Sequence, residues 1–463
     1  MNDERIDAAL REASDTRNVK IGPGALDSVD DLFERSFGGR PALVVADENT
    51  FAVAGEQVQR HLERAGRGLE EPYVFPGDPT LYAEYGNIEK LVEALGRHEA
   101  IPVAVGSGTL NDIVKRASHE RGRPYLCVGT AASMDGYTAF GASIEKDGLK
   151  QTLACSAPKA VLADLDVLVN APPDMTASGY ADLLGKVTSG ADWLIADALG
   201  VEPIDPTGWS LVQDYLREWT GQPGELRDGD RQEMEHLIEG LVMSGLGIQS
   251  YQSSRTASGA EHQFSHLWEM EGLGHDEGHG GTPLSHGFKV GVGSVAIAAL
   301  YERILERDFG SLDIDEVRDA WPSRDEMEHS VRAAHTSPEL AEGAVEQSLA
   351  KYVEAEELAE RLRLLRDVWP DLRARLADQL MTAGQITEKL RAAGCPTKPT
   401  EIGLDWEEFK ATYARARTIR KRYTVLDLAA EAGVFDGCVE ELFSPDGFWG
   451  REAATEARAG GPG

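Results

Sequence analysis

The sequence predicts an α/β domain built on a parallel sheet, followed by an all-α domain. Three observations carry that expectation. Up to residue 169, short apolar runs alternate with helical patterns, as strands and crossover helices do in a parallel sheet. The stretch Asn170-Ala-Pro-Pro173 then breaks the alternation. Beyond it, apolar residues recur at helical spacing over long stretches. The division expected is 1–173 for the α/β domain, 174–450 for the helical domain, and 451–463 for a disordered tail with little to bury.

Taken in order, Val19-Lys-Ile21 before Gly22-Pro-Gly24 reads as the first strand and its turn. Pro41-Ala-Leu-Val-Val-Ala46 reads as a buried strand that ends in Asp47-Glu-Asn-Thr50. A carboxylate at such a tip can accept both hydroxyls of an adenosine ribose, and it suits equally well as the N-cap of the next helix. Ile101-Pro-Val-Ala-Val105 then runs into Gly106-Ser107-Gly108-Thr109-Leu110-Asn111-Asp112. A strand that breaks into a Gly-Ser-Gly-Thr turn and then a helix presents backbone N–H groups at the positive end of a helix dipole. That is a cradle for a pyrophosphate, with the Thr109 hydroxyl as a further donor. The turn does not fit Gly-x-Gly-x-x-Gly. A strand at 124–128 leads into Gly129-Thr130-Ala131-Ala132-Ser133-Met-Asp135, where small residues leave room for a flat ring beneath Asp135. Residues 160–169 read as the last strand.

Helical patterns follow at 233–247, 290–307, 339–369 and 406–422, the third expected to end or kink at Pro370. Ser258 to Trp268 carries His262 and His266 at i and i+4, on one face of a helix. His286 opens the next apolar run. Neutral imidazole is the commonest protein ligand for a borderline divalent metal, so these three histidines point to a metal site that still needs an oxygen ligand. The glycine-rich stretch 272–283, read as a mobile loop, holds rival ligands His275 and His279, but its glycines work against the helix that would align them.

The 463 residues suit two or three domains, and 41% hydrophobic with 27% charged residues is the balance of an ordinary globular protein. No apolar run reaches the roughly 18 residues that a membrane span needs, and the polar start Met1-Asn-Asp-Glu-Arg-Ile is unlike a secretory signal. The four cysteines, Cys127, Cys155, Cys395 and Cys438, are far apart, as expected of a reducing cytoplasm. A formal charge of −33 argues against nucleic acid or an anionic membrane surface as partner. An anionic substrate would need a local cationic pocket working against that field.

Five motifs in order now carry a resemblance: Gly-Ser-Gly-Thr-Leu-Asn-Asp, Thr-Ala-Ala-Ser-Met-Asp-Gly-Tyr-Thr, Ala-Asp-Leu-Leu-Gly-Lys, Glu-His-x-x-x-His and His-Gly-x-Lys-Val-Gly. Over roughly residues 15 to 435 the chain resembles the bacterial branch of the sn-glycerol-1-phosphate dehydrogenases, within the iron-containing alcohol dehydrogenase and dehydroquinate synthase superfamily. The resemblance implies a Rossmann-like nucleotide domain, a helical domain and an active site in the cleft between them. It implies a metal held by Asp182, His262 and His286, and it moves His266 from ligand to substrate contact, together with Asp135 and Asp182. It implies that 108–112 and 130–133 hold the dinucleotide, next to Gly106 and Ser107 of the cradle read above. Ala139 stands where the family commonly has a dinucleotide-contacting serine, and so belongs to the cofactor-binding set with one hydrogen bond fewer. The loop between His266 and His286 is long for the family.

The activity so implied is metal-dependent interconversion of dihydroxyacetone phosphate and sn-glycerol 1-phosphate. Zinc, nickel, iron and cobalt all suit the donor set, and Asp47 favours NADH over NADPH. Arg255, Lys186 and Lys289 are the cations nearest in sequence to the metal motifs, and so the candidates for the phosphate. Further copies of the chain, as a dimer or larger homo-oligomer, are the expected macromolecular partner. The alternatives are a dehydroquinate-synthase-like cyclase, another polyol dehydrogenase on the same scaffold, and a non-catalytic binding protein.

Overall fold

The computed structural model describes residues 3–146, 149–274 and 284–459. The chain divides into two compact units, Met1–Leu183 with Pro206–Ala257 and Ala392–Cys395, and Leu184–Asp205 with Ser258–Arg391 and Pro396–Gly463.

The first unit is built on strands β1 (Asn18–Gly22), β2 (Ala42–Asp47), β3 (Tyr73–Phe75), β4 (Ile101–Gly106), β5 (Leu126–Gly129) and, after a hairpin, β8 (Ala160–Asp164). They form one sheet in the order β1-β8-β5-β4-β2-β3, and every pairing is parallel. The hairpin is β6 (Ala142–Lys146) with β7 (Leu149–Leu153), antiparallel. The central strands are apolar without alternation because helices cover both faces of a parallel sheet. Leu32 and Phe33 of the helix Val29–Phe37, and Val58 and Leu62 of the helix Glu56–Arg64, pack on Val44, Val103, Val105, Leu126 and Leu162.

From β2 the chain crosses outward to β3, and from β4 it crosses the other way to β5. The order therefore reverses between β2 and β4, and ligands of open α/β sheets bind at such a switch point, beyond the C-terminal strand ends. Asp47 and Gly106 are those ends. The run read as one strand at 160–169 stops at Asp164, whose carboxylate accepts the N–H of Asp166 (2.9 Å) and of Leu26 (2.9 Å) and so starts a short helix instead.

The helix α1 (Gly108–Glu120) follows β4, and α2 (Pro173–Leu184) follows the sheet. The boundary expected at residue 173 is not where the units divide, because later helices are tied into the sheet unit by hydrogen bonds. Ser178 donates to the Ser133 carbonyl (3.0 Å), Thr138 to the Val242 carbonyl (2.7 Å) and Gln249 Nε2 to Thr16 Oγ1 (2.8 Å).

The second unit is helical. Its members include α3 (Lys186–Ala198), α4 (Ala260–Met270), α5 (His286–Leu305) and α6 (Trp406–Ala416). Asp192 on α3 is the polar knot: it accepts the N–H of Ala260 at the head of α4 (2.7 Å), the Tyr301 hydroxyl of α5 (2.6 Å) and the N–H of Val425 (2.8 Å). A buried carboxylate at two helix starts answers their unsatisfied N–H groups and their dipoles.

The stretch read as helical over 339–369 is two helices, Pro338–Leu349 and Ala355–Gln379, and the second runs through Pro370 instead of ending there. Its buried stripe Leu358, Leu362, Leu365, Trp369 resumes as Leu372 and Leu376. Two such side chains, at roughly 1.5–3 kcal/mol each, offset the roughly 3 kcal/mol that an interior proline costs. Residues 451–459, expected to be disordered, continue the helix Phe448–Ala459. Trp449 anchors it, buried with Nε1 donating to the Tyr413 hydroxyl (2.8 Å) and its ring edge-on to Phe409. Among the described residues no helix is long and apolar enough to cross a membrane.

Candidate active site

Among the described residues, one group of side chains offers metal-ligand atoms that all lie within 4.8 Å of one another: Asp182, His262 and His286. Asp182, near the end of α2, is fully buried and its Oδ2 accepts the Asp135 N–H (3.0 Å). His262 is in the first turns of α4, and His286 opens α5. The two helices approach closely because α5 carries Gly293 against α4: a Cβ there would stand 2.7 Å from the Glu261 carbonyl oxygen. The His262 and His286 ring centroids are 5.5 Å apart.

Each imidazole is oriented by a buried carboxylate. His262 Nδ1 faces Glu261 Oε1 at 2.7 Å, and His286 Nδ1 faces Glu269 Oε1 at 2.8 Å. Glu261 also accepts the Gly259 N–H (2.6 Å) and the Thr188 hydroxyl (2.8 Å). Burial alone would raise its pKa, but the hydrogen bonds from His262 and Gly259 hold it below the ordinary carboxylate range. With an ionised acceptor at Nδ1 the ring proton sits there, and the lone pair sits on Nε2. One carboxylate and two such imidazoles fit a borderline divalent ion.

His266 lies one turn along α4. Its ring is 5.8 Å from that of His262 and stacks on that of His286 at 5.9 Å. Desolvation, with the Arg420 charge nearby, holds it well below the usual imidazole range, so it is neutral at pH 7. Asp135 is half-buried, and Ser244 donates to its Oδ2 at 2.9 Å. His275 and His279 lie outside the described residues.

The nucleotide-binding candidates are at the C-terminal ends of the strands. Asp47 caps the helical turn after β2: its Oδ1 accepts the Thr50 N–H (2.8 Å), and its own N–H donates to Thr50 Oγ1 (3.1 Å). Gly106 needs to be glycine because a Cβ would stand 2.5 Å from Leu110. Ser107 and Thr109 are half-buried at the head of α1, and Gly108 is buried there. Asn111 and Asp112 point into the unit instead: Asn111 joins the Tyr125 hydroxyl (2.9 Å) to the Gly136 carbonyl (3.1 Å), and Asp112 pairs with Lys115 (3.2 Å) and accepts the Ser143 N–H (3.1 Å). Thr130, Ala131, Ala132 and Ala139 are buried, and the Ser133 hydroxyl is 3.2 Å from that of Tyr137.

Of the cations considered for a phosphate, Lys186, Arg255 and Lys289 are all buried, and Lys289 Nζ is paired with Glu269 Oε1 at 3.0 Å. The sequence alone gives no role to Glu261, Glu269 or Arg420. The first two had a visible signal, a glutamate directly before His262 and another three residues after His266.

A family model described as iron-containing alcohol dehydrogenase matches residues 20–172. A glycerol-1-phosphate dehydrogenase (NAD(P)+) of Bacillus licheniformis is 31% identical over 423 residues, 90% of this chain and 90% of that protein. The chain belongs to the glycerol-1-phosphate dehydrogenase family. A second relative so described, from Halalkalibacterium halodurans, is 39% identical over 262 residues, 56% of this chain and 64% of that one, just under two thirds of its length. The fold is shared more widely than the family. The crystal structure of a probable glycerol dehydrogenase from Sinorhizobium meliloti 1021 superposes with a TM-score of 0.57 at 15% identity, covering 92% of this chain and 97% of that one.

Proposed function

We propose that the chain interconverts dihydroxyacetone phosphate and sn-glycerol 1-phosphate, with NAD(H) as hydride carrier and a divalent ion at Asp182, His262 and His286. The observation that carries this reading is the grouping of one carboxylate with two carboxylate-oriented imidazoles, in a chain whose relatives are named for that activity. Bound there, zinc, nickel or iron would serve as a Lewis acid toward the substrate's hydroxyl or carbonyl oxygen.

The side chains around that position have separate tasks. Glu261 and Glu269 keep the Nδ1 protons of His262 and His286 and aim the rings. His266, stacked on His286, holds the reacting hydroxyl and takes or returns its proton at a ring nitrogen. Asp135, steadied by Ser244, accepts a hydrogen bond from the neighbouring hydroxyl of the polyol. The backbone N–H groups of 106–109, at the head of α1, suit the pyrophosphate of the dinucleotide. The charge of Asp47, beside the switch point of the sheet, favours a ribose diol over a 2′-phosphate.

The test is reduction of dihydroxyacetone phosphate by NADH on metal-reconstituted protein, with the product resolved by enantiomer. We expect sn-glycerol 1-phosphate and one NADH consumed per product. The opposite enantiomer, or turnover with no net NADH consumed, would overturn the reading, the latter in favour of a cyclase.

A further inference from the structure

The segment from Arg415 to Arg422 reads Arg-Ala-Arg-Thr-Ile-Arg-Lys-Arg, five cations in eight residues of a chain whose net charge is −33. It lies along α4. Thr412, just before it, accepts a hydrogen bond from Trp268 Nε1 (3.0 Å), and Arg415 pairs with Glu271. At its other end the Arg422 carbonyl accepts from Gln263 Nε2 (3.2 Å), and Arg422 Nη1 donates to the Ser258 carbonyl (2.6 Å). The stretch between these anchors passes the turn of α4 that bears His266 and Glu269.

Four of the five cations are accounted for elsewhere. Arg415 is spent on Glu271, Arg422 on Ser258, Lys421 is exposed, and Arg417 lines a cavity with Trp321, Met327 and Phe435. Arg420 is different. It is half-buried, its hydrogen bond is a 3.3 Å contact to the Ile419 carbonyl, and among the described residues no carboxylate lies within 4.0 Å of it. The carboxylate on which its charge acts, Glu269, is already shared between His286 and Lys289. Desolvation is the larger influence on this guanidinium and holds it below its ordinary range, and Glu269 offsets that burial only in part.

We propose that Arg420 is the seat of the substrate's phosphate, an anion-binding guanidinium held beside His266 by the docking of residues 415–422 on α4. This rests on the function proposed above and names the cation that function requires. A planar guanidinium with open N–H groups matches a phosphate dianion bidentately, which an ammonium does not. It also explains how an acidic chain takes an anionic substrate: the attraction is local and comes from a charge without a carboxylate of its own.

The test compares kcat/KM for dihydroxyacetone phosphate with that for dihydroxyacetone, which lacks only the phosphate, in metal-loaded wild type, Arg420→Gln and Arg420→Lys. The wild type should favour the phosphorylated substrate. In Arg420→Gln that preference should fall by roughly 100-fold, the loss expected when charge-assisted hydrogen bonds to a dianion are removed. Arg420→Lys should recover part of it, because charge returns without the fork. A wild type with no preference for the phosphorylated substrate would overturn the parent function. A wild type that has the preference and an Arg420→Gln variant that keeps it would overturn this inference alone.

Discussion

At the scale of single residues, Glu261 separates orientation from charge. Its three donors are Gly259 N–H, the Thr188 hydroxyl and His262 Nδ1. Glu261→Gln can keep all three contacts, since an amide N–H on the Oε2 side can donate to Thr188 Oγ1, which then donates to the Gly185 carbonyl (2.9 Å). The ring stays aimed, and the negative charge that would make it a better ligand is gone. Metal affinity, read by chelator competition, should weaken about 10- to 100-fold while the melting temperature of the metal-free protein hardly moves. Unchanged affinity would mean that Glu261 only builds the head of α4. Asp47 presents the converse problem, because it caps a helix whatever else it does. Asp47→Asn keeps a capping side chain and removes only the charge. If Asp47 reads the ribose, the NADH preference narrows in this variant without loss of stability; an unchanged NADH/NADPH ratio assigns it to the cap alone.

At the scale of elements, what the sequence makes legible follows from what each element buries. Strands β2 and β4 are unbroken apolar runs because both faces are covered, so they can be read without neighbours. Strand β3 has three residues at the sheet edge, and the hairpin β6–β7 owes its existence to pairing with itself; neither has a local pattern strong enough to read. The helix Ala355–Gln379 crosses Pro370 because its partners lie far away in the chain. One of those partnerships gives a pH dependence. Glu431 ends the helix Val425–Glu431, buried, with Arg361 Nη1 at 2.6 Å and the Tyr423 hydroxyl at 2.6 Å. Burial, working against Arg361, pushes its carboxyl up to about 7 from an ordinary 4.5. A raised carboxyl binds its proton more tightly in the folded state, so the stability it contributes is present below about pH 4.5 and is lost as pH rises toward 7. Glu431→Gln should therefore gain on the wild type as pH goes from 5 to 8, at no more than about 1.4 kcal/mol per unit. Parallel denaturation midpoints at all pH values would show that Glu431 stays ionised throughout.

At the scale of the molecule, the proposed ligand set is legible in the sequence only in part, for a reason that also supplies a test. His262 and His266 stand out because i,i+4 spacing is local, yet spacing alone does not say which of them groups with His286. Asp182 has no local mark at all: it lies 80 residues before His262 (262 − 182), and nothing but the fold brings it within 4.8 Å of the two histidines. The unfolded chain has no such grouping, so an ion that binds these three residues binds the folded state alone and stabilises it by mass action. At free metal 100 times its dissociation constant the gain is about 2.7 kcal/mol, which for a unit of this size is a rise in melting temperature of roughly 5–10 °C. Chelator-treated protein should melt lower by that amount and recover on addition of zinc, nickel or iron. His262→Ala should melt at one temperature with or without the ion, because the grouping no longer closes. A wild type whose melting is indifferent to chelator and ion alike would mean that the carboxylate and the two imidazoles meet for some purpose other than holding a metal.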